Sequence, residues 1–302
     1  MEKVNGIFSP SSFRDPKARI VLNGVQVFRV VSEEFSEEFK NVCNTGLLDN
    51  LVLNKKLVPF SNVPTEVCRS IDVINEGATV FELERLPFIS YPYEWSFSAL
   101  KAAALLQLEL QISAIDVGIK LTDASAFNVQ FVGPAPIFID HTSFALYNEG
   151  EMWGAHQQFC SHFLNPLLLM SKFDVPFNEW WNGTLDGISA SSLTSFMSGW
   201  DYLSPKLLTH VLLPTYFERK SIGKGVSNDL EKISKAKLPK LAARNMFQSL
   251  YNWIEKLSIK NSNTVWATYS SDNSYQDQEV QEKASFIAEF AQATLPNVLV
   301  DI

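Results

Sequence analysis

Apolar and polar positions alternate through ARIVL (Ala18–Leu22) and VQVFRVV (Val25–Val31). The Asn23-Gly24 pair between them predicts a type I′ hairpin, because both residues tolerate positive φ. Ser32 follows as an N-cap, with Glu33 and Glu34 where a helix dipole favours carboxylates. Phe35, Phe39 and Val42 fall at helical spacing and predict a helix that stops near Gly46. GATVFELERL, from Gly77, reads as another strand. From Ser96 to Ile119 the apolar residues Leu100, Ala104, Leu108, Ile112 and Ile115 recur at helical spacing, with Gly118 near the end. That pattern predicts a long, mostly buried helix. NVQFV and PIFID are short apolar strands separated by the turn pair Gly133-Pro134. Trp153 to Tyr216 is helical in pattern, rich in Leu, Phe and Trp, and broken by Pro166, Pro176, Pro205 and Pro214.

Beyond Tyr216 the pattern weakens. Arg219 to Arg244 is locally basic and reads as a solvated helical face or linker before a phosphate- or partner-binding patch. GKGVS within it lacks the Walker spacing and a preceding strand. Asn261 to Gln278 is polar and linker-like, a short helix follows, and NVLVDI has the pattern of a buried strand. With 46% apolar residues in 302, the chain holds enough for one large core or two modest ones. A net charge of −8 runs against duplex nucleic acid and anionic membranes as partners. Cys43, Cys68 and Cys160 are odd in number and widely spaced, so neither a disulfide framework nor a zinc cluster is expected. A reducing, cytoplasmic setting fits. MEKVNGIFSPSSF lacks a secretory h-region, and the apolar run Ala102–Leu110 is too short to span a bilayer. A soluble protein is expected.

The chemistry-bearing segment is LTDASAFNVQFVGPAPIFID, residues 121–140. Asp123 and Asn128, with four residues between them, stand just after the long helix, and Asp140 ends the second strand of the hairpin that follows. This order suits phosphoryl transfer from Mg-ATP: one carboxylate orients the attacking hydroxyl, while an amide oxygen and a second carboxylate hold magnesium. The segment resembles the catalytic region of the protein-kinase-like superfamily, including the aminoglycoside phosphotransferases. The resemblance implies Asp123 as the catalytic Asp and Asn128 and Asp140 as magnesium ligands. Leu121 stands where that pattern has His, and His141-Thr142-Ser143 replaces Phe-Gly after Asp140. No GxGxxG loop appears, and Arg29 occupies the place of the phosphate-contacting Lys, with Glu34, Glu37 or Glu38 as candidate ion-pair partners. Arg is not equivalent to Lys there, and a structural salt bridge is the plainer role. For Asp123 and Asn128 the plainer role is a turn whose side chains bond their own backbone.

Longer blocks carry a second resemblance. ERLPFISYPYEWSFSALKAAALLQLELQ, LTDASAFNVQFVGPAPIFIDHTSF and QFCSHFLNPLLL are similar to the N-terminal region of a family of class I S-adenosylmethionine-dependent methyltransferases of nodulation-related type. In that family a kinase-like region precedes the methyltransferase domain. SYQDQEVQEKASFIAEF and NVLVDI are similar to the lead-in to its first strand. The resemblance implies that the chain stops before the cofactor-binding glycines, so that S-adenosylmethionine would be bound only by a longer parent.

Other candidates are weaker. His141, His156, His162 and His210 show no metal-ligand spacing with Cys160 and read as core or surface residues. No G-x-S-x-G elbow occurs. Tyr91, Tyr93, Glu94 and Trp95 could line a cleft, or be buried with Glu94 paired; Trp153, Trp180 and Trp181 read as core. The expected architecture is an α+β, protein-kinase-like, two-lobed fold: a small β-containing lobe over 1–90, a helical lobe over 91–260, and a linker with the truncated start of a Rossmann-like domain over 261–302. The expected function is Mg-ATP binding, with phosphotransfer to a small molecule or glycan. The alternative is a non-catalytic scaffold that recruits substrate for the methyltransferase.

Overall fold

The computed structural model describes residues 6–12, 15, 17–64, 68, 77–216, 238–259 and 276–296. Most of the basic stretch, including GKGVS, lies outside these residues, as do positions 261–275 of the polar stretch and NVLVDI. The chain divides into two compact units, Met1–Ile259 and Lys260–Ile302. In the second, the described helix Asp277–Thr294 starts at a capping box between Gln276 and Glu279 and buries no residue.

The first unit mixes α and β structure. Its main sheet is antiparallel, in the order β1-β2-β3-β5-β4: β1 is Ile7–Phe8, β2 Ala18–Asn23, β3 Gln26–Val31, β4 Phe60–Asn62 and β5 Thr79–Leu83. Asn23 pairs with Gln26, so the hairpin turn is Gly24-Val25, one residue later than the sequence suggests. Only Gly24 of the two has positive φ, at +59°, which is the type II′ pattern and not type I′.

Helix α1, Glu33–Asn44, begins after Ser32 as expected, but the Ser32 hydroxyl makes no cap bond and is buried without a partner. Phe39 stacks on Phe81 of β5 with ring centroids 5.1 Å apart, which fastens α1 to the sheet. Gly46, at φ +73°, ends the turn and opens a second helix, α2, Leu47–Leu53.

The long helix α3, Phe97–Asp116, starts at Ser96, whose Oγ accepts from the Ala99 amide at 3.2 Å. It is buried on several faces, including Gln107 and Gln111, as a central helix must be. Strand β6, Ile119–Leu121, pairs with β9, Phe144–Leu146, while β7, Val129–Val132, and β8, Ala135–Phe138, form the hairpin between them. Helix α6, Lys240–Glu255, packs along α3 and buries Ala243, Phe247, Leu250 and Ile254.

Pro166 and Pro214 do not end their helices. Helix α4, His156–Phe159, passes through a π-helical turn, Cys160–Leu164, into α5, Asn165–Phe173. A second π-helical turn, Leu208–Leu212, precedes Pro214. A proline ring collides with the carbonyl four residues back and supplies no N–H. Widening the preceding turn relieves the collision and lets each helix continue. Freed in this way, the Ser161 carbonyl accepts from the Ile188 amide at 2.9 Å, and Asn165 Nδ2 donates to the Ile188 carbonyl at 2.8 Å.

Gly187 makes that docking possible. It has φ +72°, and a Cβ there would lie 2.4 Å from the Ser161 oxygen, a backbone atom that cannot step aside. Gly187→Ala is expected to cost about 2–3 kcal/mol from strain alone. Equilibrium urea unfolding would read the loss, and a variant as stable as wild type would refute this account of the joint.

Candidate functional site

The segment from Leu121 to Asn128 is held by side chains from two helices. The Leu121 amide donates to Gln111 Oε1 at 2.8 Å, and Gln107 Nε2 donates to the Asp123 carbonyl at 3.2 Å. The Ala124 amide donates to Gln158 Oε1 at 2.8 Å, and the Ala126 amide to His162 Nδ1 at 3.2 Å. Trp153 Nε1 closes the other side by donating to the Leu121 carbonyl at 2.9 Å. Leu121, in the place of the brace His, is itself fully buried.

On this frame Asp123 accepts from the Ser125 amide at 2.8 Å, the backbone bond of a local turn. Burial pushes its carboxyl above the usual range. The Ser125 amide opposes that shift, and the neighbouring charge of Asp140 adds to it. Asn128 lies near enough to ease the Asp123 charge, yet no bond of ordinary geometry closes, and its Nδ2 is buried without a partner. The Ile139 amide donates to the Asn128 carbonyl at 2.9 Å and so ties the end of the hairpin back to the loop. Asp123, Asn128 and Asp140 therefore belong to one neighbourhood, although they span 18 residues of sequence.

Asp140 is the most heavily bonded of the three. Its Oδ1 accepts from Arg29 Nη1, from the Thr142 amide at 3.1 Å and from Thr142 Oγ1 at 2.8 Å, while Oδ2 accepts a short bond from Ser143 Oγ. Burial works against its charge. The Arg29 guanidinium and these hydroxyl and amide donors outweigh that and hold the pKa below the usual carboxylate range.

Arg29, 8% exposed on β3, also donates to Thr142 Oγ1 at 2.7 Å and stands 3.9 Å from Asp15 Oδ2. The α1 glutamates suggested by the sequence are not its partners; Glu38 lies 3.7 Å from Lys17 instead. The adjacent cavity, which Lys17, Glu38 and Thr142 line together with apolar side chains such as Phe35 and Phe144, has room for about one water.

Sequence reasoning gave no role to His141, Thr142, Ser143 or Asp15. His141 is buried among the rings of Phe60 and Phe81, and its Nε2 donates to the Val58 carbonyl at 2.9 Å. Burial, reinforced by Arg29, depresses its pKa to about 3, so it is neutral at pH 7. The YPYEW segment is tied into the fold: Glu94 accepts from the Tyr91 amide at 2.8 Å, and Trp95 Nε1 donates to Ser90 Oγ at 2.8 Å.

The sequence reading separated Cys160 from the histidines, and the structure corrects it. His156 Nε2 lies 2.9 Å from His210 Nδ1 and 3.7 Å from Cys160 Sγ. Burial lowers the pKa of both histidines to about 4 and raises that of Cys160 to about 12.

Fold and site together define a mixed α and β protein with two acids and an amide gathered beside a buried arginine. No protein-family model matches the chain. The chain is 35% identical over 294 residues to the nodulation protein NoeA of Rhizobium meliloti (strain 1021), an alignment covering 96% of this chain and 60% of the relative. The chain thus spans 60% of the length of that relative. Among the described residues no helix is long and apolar enough to cross a membrane.

Proposed function

We propose that the chain is a protein-kinase-like domain that works as a non-catalytic scaffold, recruiting a small-molecule or glycan acceptor for a methyltransferase segment of a longer, nodulation-related protein. The kinase-like part of the reading is supported by topology. β3 carrying Arg29 is followed by α1, and α3, β6, Asp123, Asn128, the β7–β8 hairpin, Asp140 and β9 follow in the order that the resemblance leads one to expect, with β6 pairing β9. The methyltransferase association is supported by the sequence blocks described above, and the nodulation role by the likeness to NoeA.

The observation that carries the scaffold reading is the saturation of Asp140. A guanidinium, two hydroxyls and an amide already occupy the carboxylate that would hold magnesium, and the Asp15 carboxylate stands 3.9 Å from Arg29, where its charge opposes a phosphate contact by that guanidinium. The donor chemistry alone would suit a hard cation, with Asp140 and the Asn128 amide oxygen as ligands. A specific observation favours this second reading, a Mg-ATP-binding phosphotransferase. Burial, with the Asp140 charge adding to it, raises the Asp123 pKa, and the buried Asn128 Nδ2 donor lacks a partner that a phosphate oxygen would supply. There Asp123 would orient the acceptor hydroxyl and Arg29 would turn to phosphate. Bound magnesium would neutralise charge on the transferring group.

Thermal melting with and without Mg-ATP separates the two. The scaffold reading expects no rise in Tm for the wild-type chain. A saturable rise, which at about 100 times Kd is worth about 2.7 kcal/mol, and its loss in Asn128→Ala or Asp140→Asn, would overturn it in favour of the nucleotide site.

A further inference from the structure

We propose that His156, Cys160 and His210 form a transition-metal site, suited to Zn2+ and separate from the Asp123–Asp140 cluster. One ligand atom from each residue lies within 4.8 Å of the other two, and the set spans two helices that the sequence holds 50 residues apart. His156 Nε2 is 2.9 Å from His210 Nδ1 and 3.7 Å from Cys160 Sγ. For a tetrahedral ion with Zn–N of about 2.0–2.1 Å and Zn–S of about 2.3 Å, donor atoms stand roughly 3.3–3.6 Å apart. The two spacings made by His156 reach those values with shifts of a few tenths of an ångström, and the third, between Cys160 and His210, lies within 4.8 Å and closes as the ion draws the donors in.

The fold builds this convergence. His156 and Cys160 are one helical turn apart on the same face. Cys160 opens the first π-helical turn and His210 sits in the middle of the second. The prolines that impose those turns therefore also set the positions of two of the three donors, and π-turns inside helices recur at functional sites. The surroundings hold the rings still: Trp153 stands edge-on to His156 at 6.2 Å, and Trp253 lies 6.0 Å from His210. Lys206, whose ammonium is 5.5 Å from the Trp253 ring, is the nearby cation and works against the site.

Two imidazoles and one thiolate are a borderline-soft set that prefers Zn2+ to Mg2+ or Ca2+. Three protein donors leave a fourth position for water or another small ligand. On binding, the Cys160 thiol gives its proton to solvent and enters as thiolate; the imidazole that donates in the His156–His210 hydrogen bond moves its proton, through solvent, to its other ring nitrogen, and the two freed nitrogens bind the metal.

The test uses the purified full chain, stripped with chelator and titrated with Co2+ and then Zn2+. One equivalent of Co2+ is expected to give visible d–d bands of tetrahedral type with a thiolate-to-cobalt charge-transfer band, and Zn2+ should displace both. Cys160→Ser should abolish the charge-transfer band, and His210→Gln should weaken Co2+ affinity at least about tenfold. Cys43→Ser, away from the cluster, should leave both signals intact. Circular dichroism before metal addition confirms that each variant is folded. Absence of a charge-transfer band in folded wild type, or its persistence in Cys160→Ser, would overturn the proposal.

Discussion

Metal-stripped protein is expected to lose its tertiary structure as the pH falls from 7 to near 5. All four histidines of the chain carry pKa values well below the ordinary 6.5: about 4 for His156, His162 and His210, and about 3 for His141. Burial is the leading cause in every case. A group whose folded pKa is depressed binds its proton more readily in the unfolded chain. Its contribution is complete above the unfolded pKa of 6.5 and drains away as pH drops toward the folded value.

Each pH unit below 6.5 removes about 1.4 kcal/mol per histidine, so four together remove on the order of 5 kcal/mol per unit. Domains are commonly stable by only about 5–15 kcal/mol. The histidines alone therefore remove a large part of that margin within one to two units. Tryptophan fluorescence and near-ultraviolet circular dichroism against pH would follow the transition, and His141→Gln should make it shallower by about one proton. Native spectra retained at pH 4 would show that these rings are hydrated in solution.

The second large effect concerns Arg29. Arg29→Met keeps the aliphatic bulk but leaves the Asp140 carboxylate in its pocket with hydroxyls and an amide and no cation bonded to it. Breaking a buried pair from one side typically costs about 3–5 kcal/mol, because the surviving charge stays desolvated. Urea midpoints would report the loss. Adding Asp140→Asn to Arg29→Met should recover part of it, because the orphaned charge is then gone. The Asp140 contribution has its own pH window. Its folded pKa is lowered, so the stability is present above the ordinary value of 3.8 and disappears only as pH falls below it. An Arg29→Met chain within about 1 kcal/mol of wild type would mean that the pair is solvated and easily given up to a ligand.

Local signals carried well through the sequence. The strand alternation around Gly24, the apolar spacing of α1 and α3, and the short apolar runs of β7 and β8 each depend on neighbours a few residues away, and each formed close to where the pattern put it, the hairpin turn one residue later. Asp123, Asn128 and Asp140 were legible for a related reason: a single loop and hairpin brings them into one neighbourhood. The failures are long-range or geometric. Arg29 finds Asp140 across 111 residues and ignores the glutamates next to it, because the burial that makes an ion pair worth forming is a property of the packed molecule. His156, Cys160 and His210 meet through two helical turns widened by proline. The sequence shows Pro166 and Pro214, and the usual inference from a proline is a break. A π-turn is the other way out, and only packing on both sides of the helix selects it.

The grip of Gln107 and Gln111 on the loop after β6 has a dynamic consequence. Both amides come from the same buried helix, so the Leu121–Asp123 backbone has no hinge of its own and cannot swing without carrying that splint along. Opening there is tied to the loosening of the whole helical body, which places this loop among the slow-exchanging parts of the molecule and not among its gates.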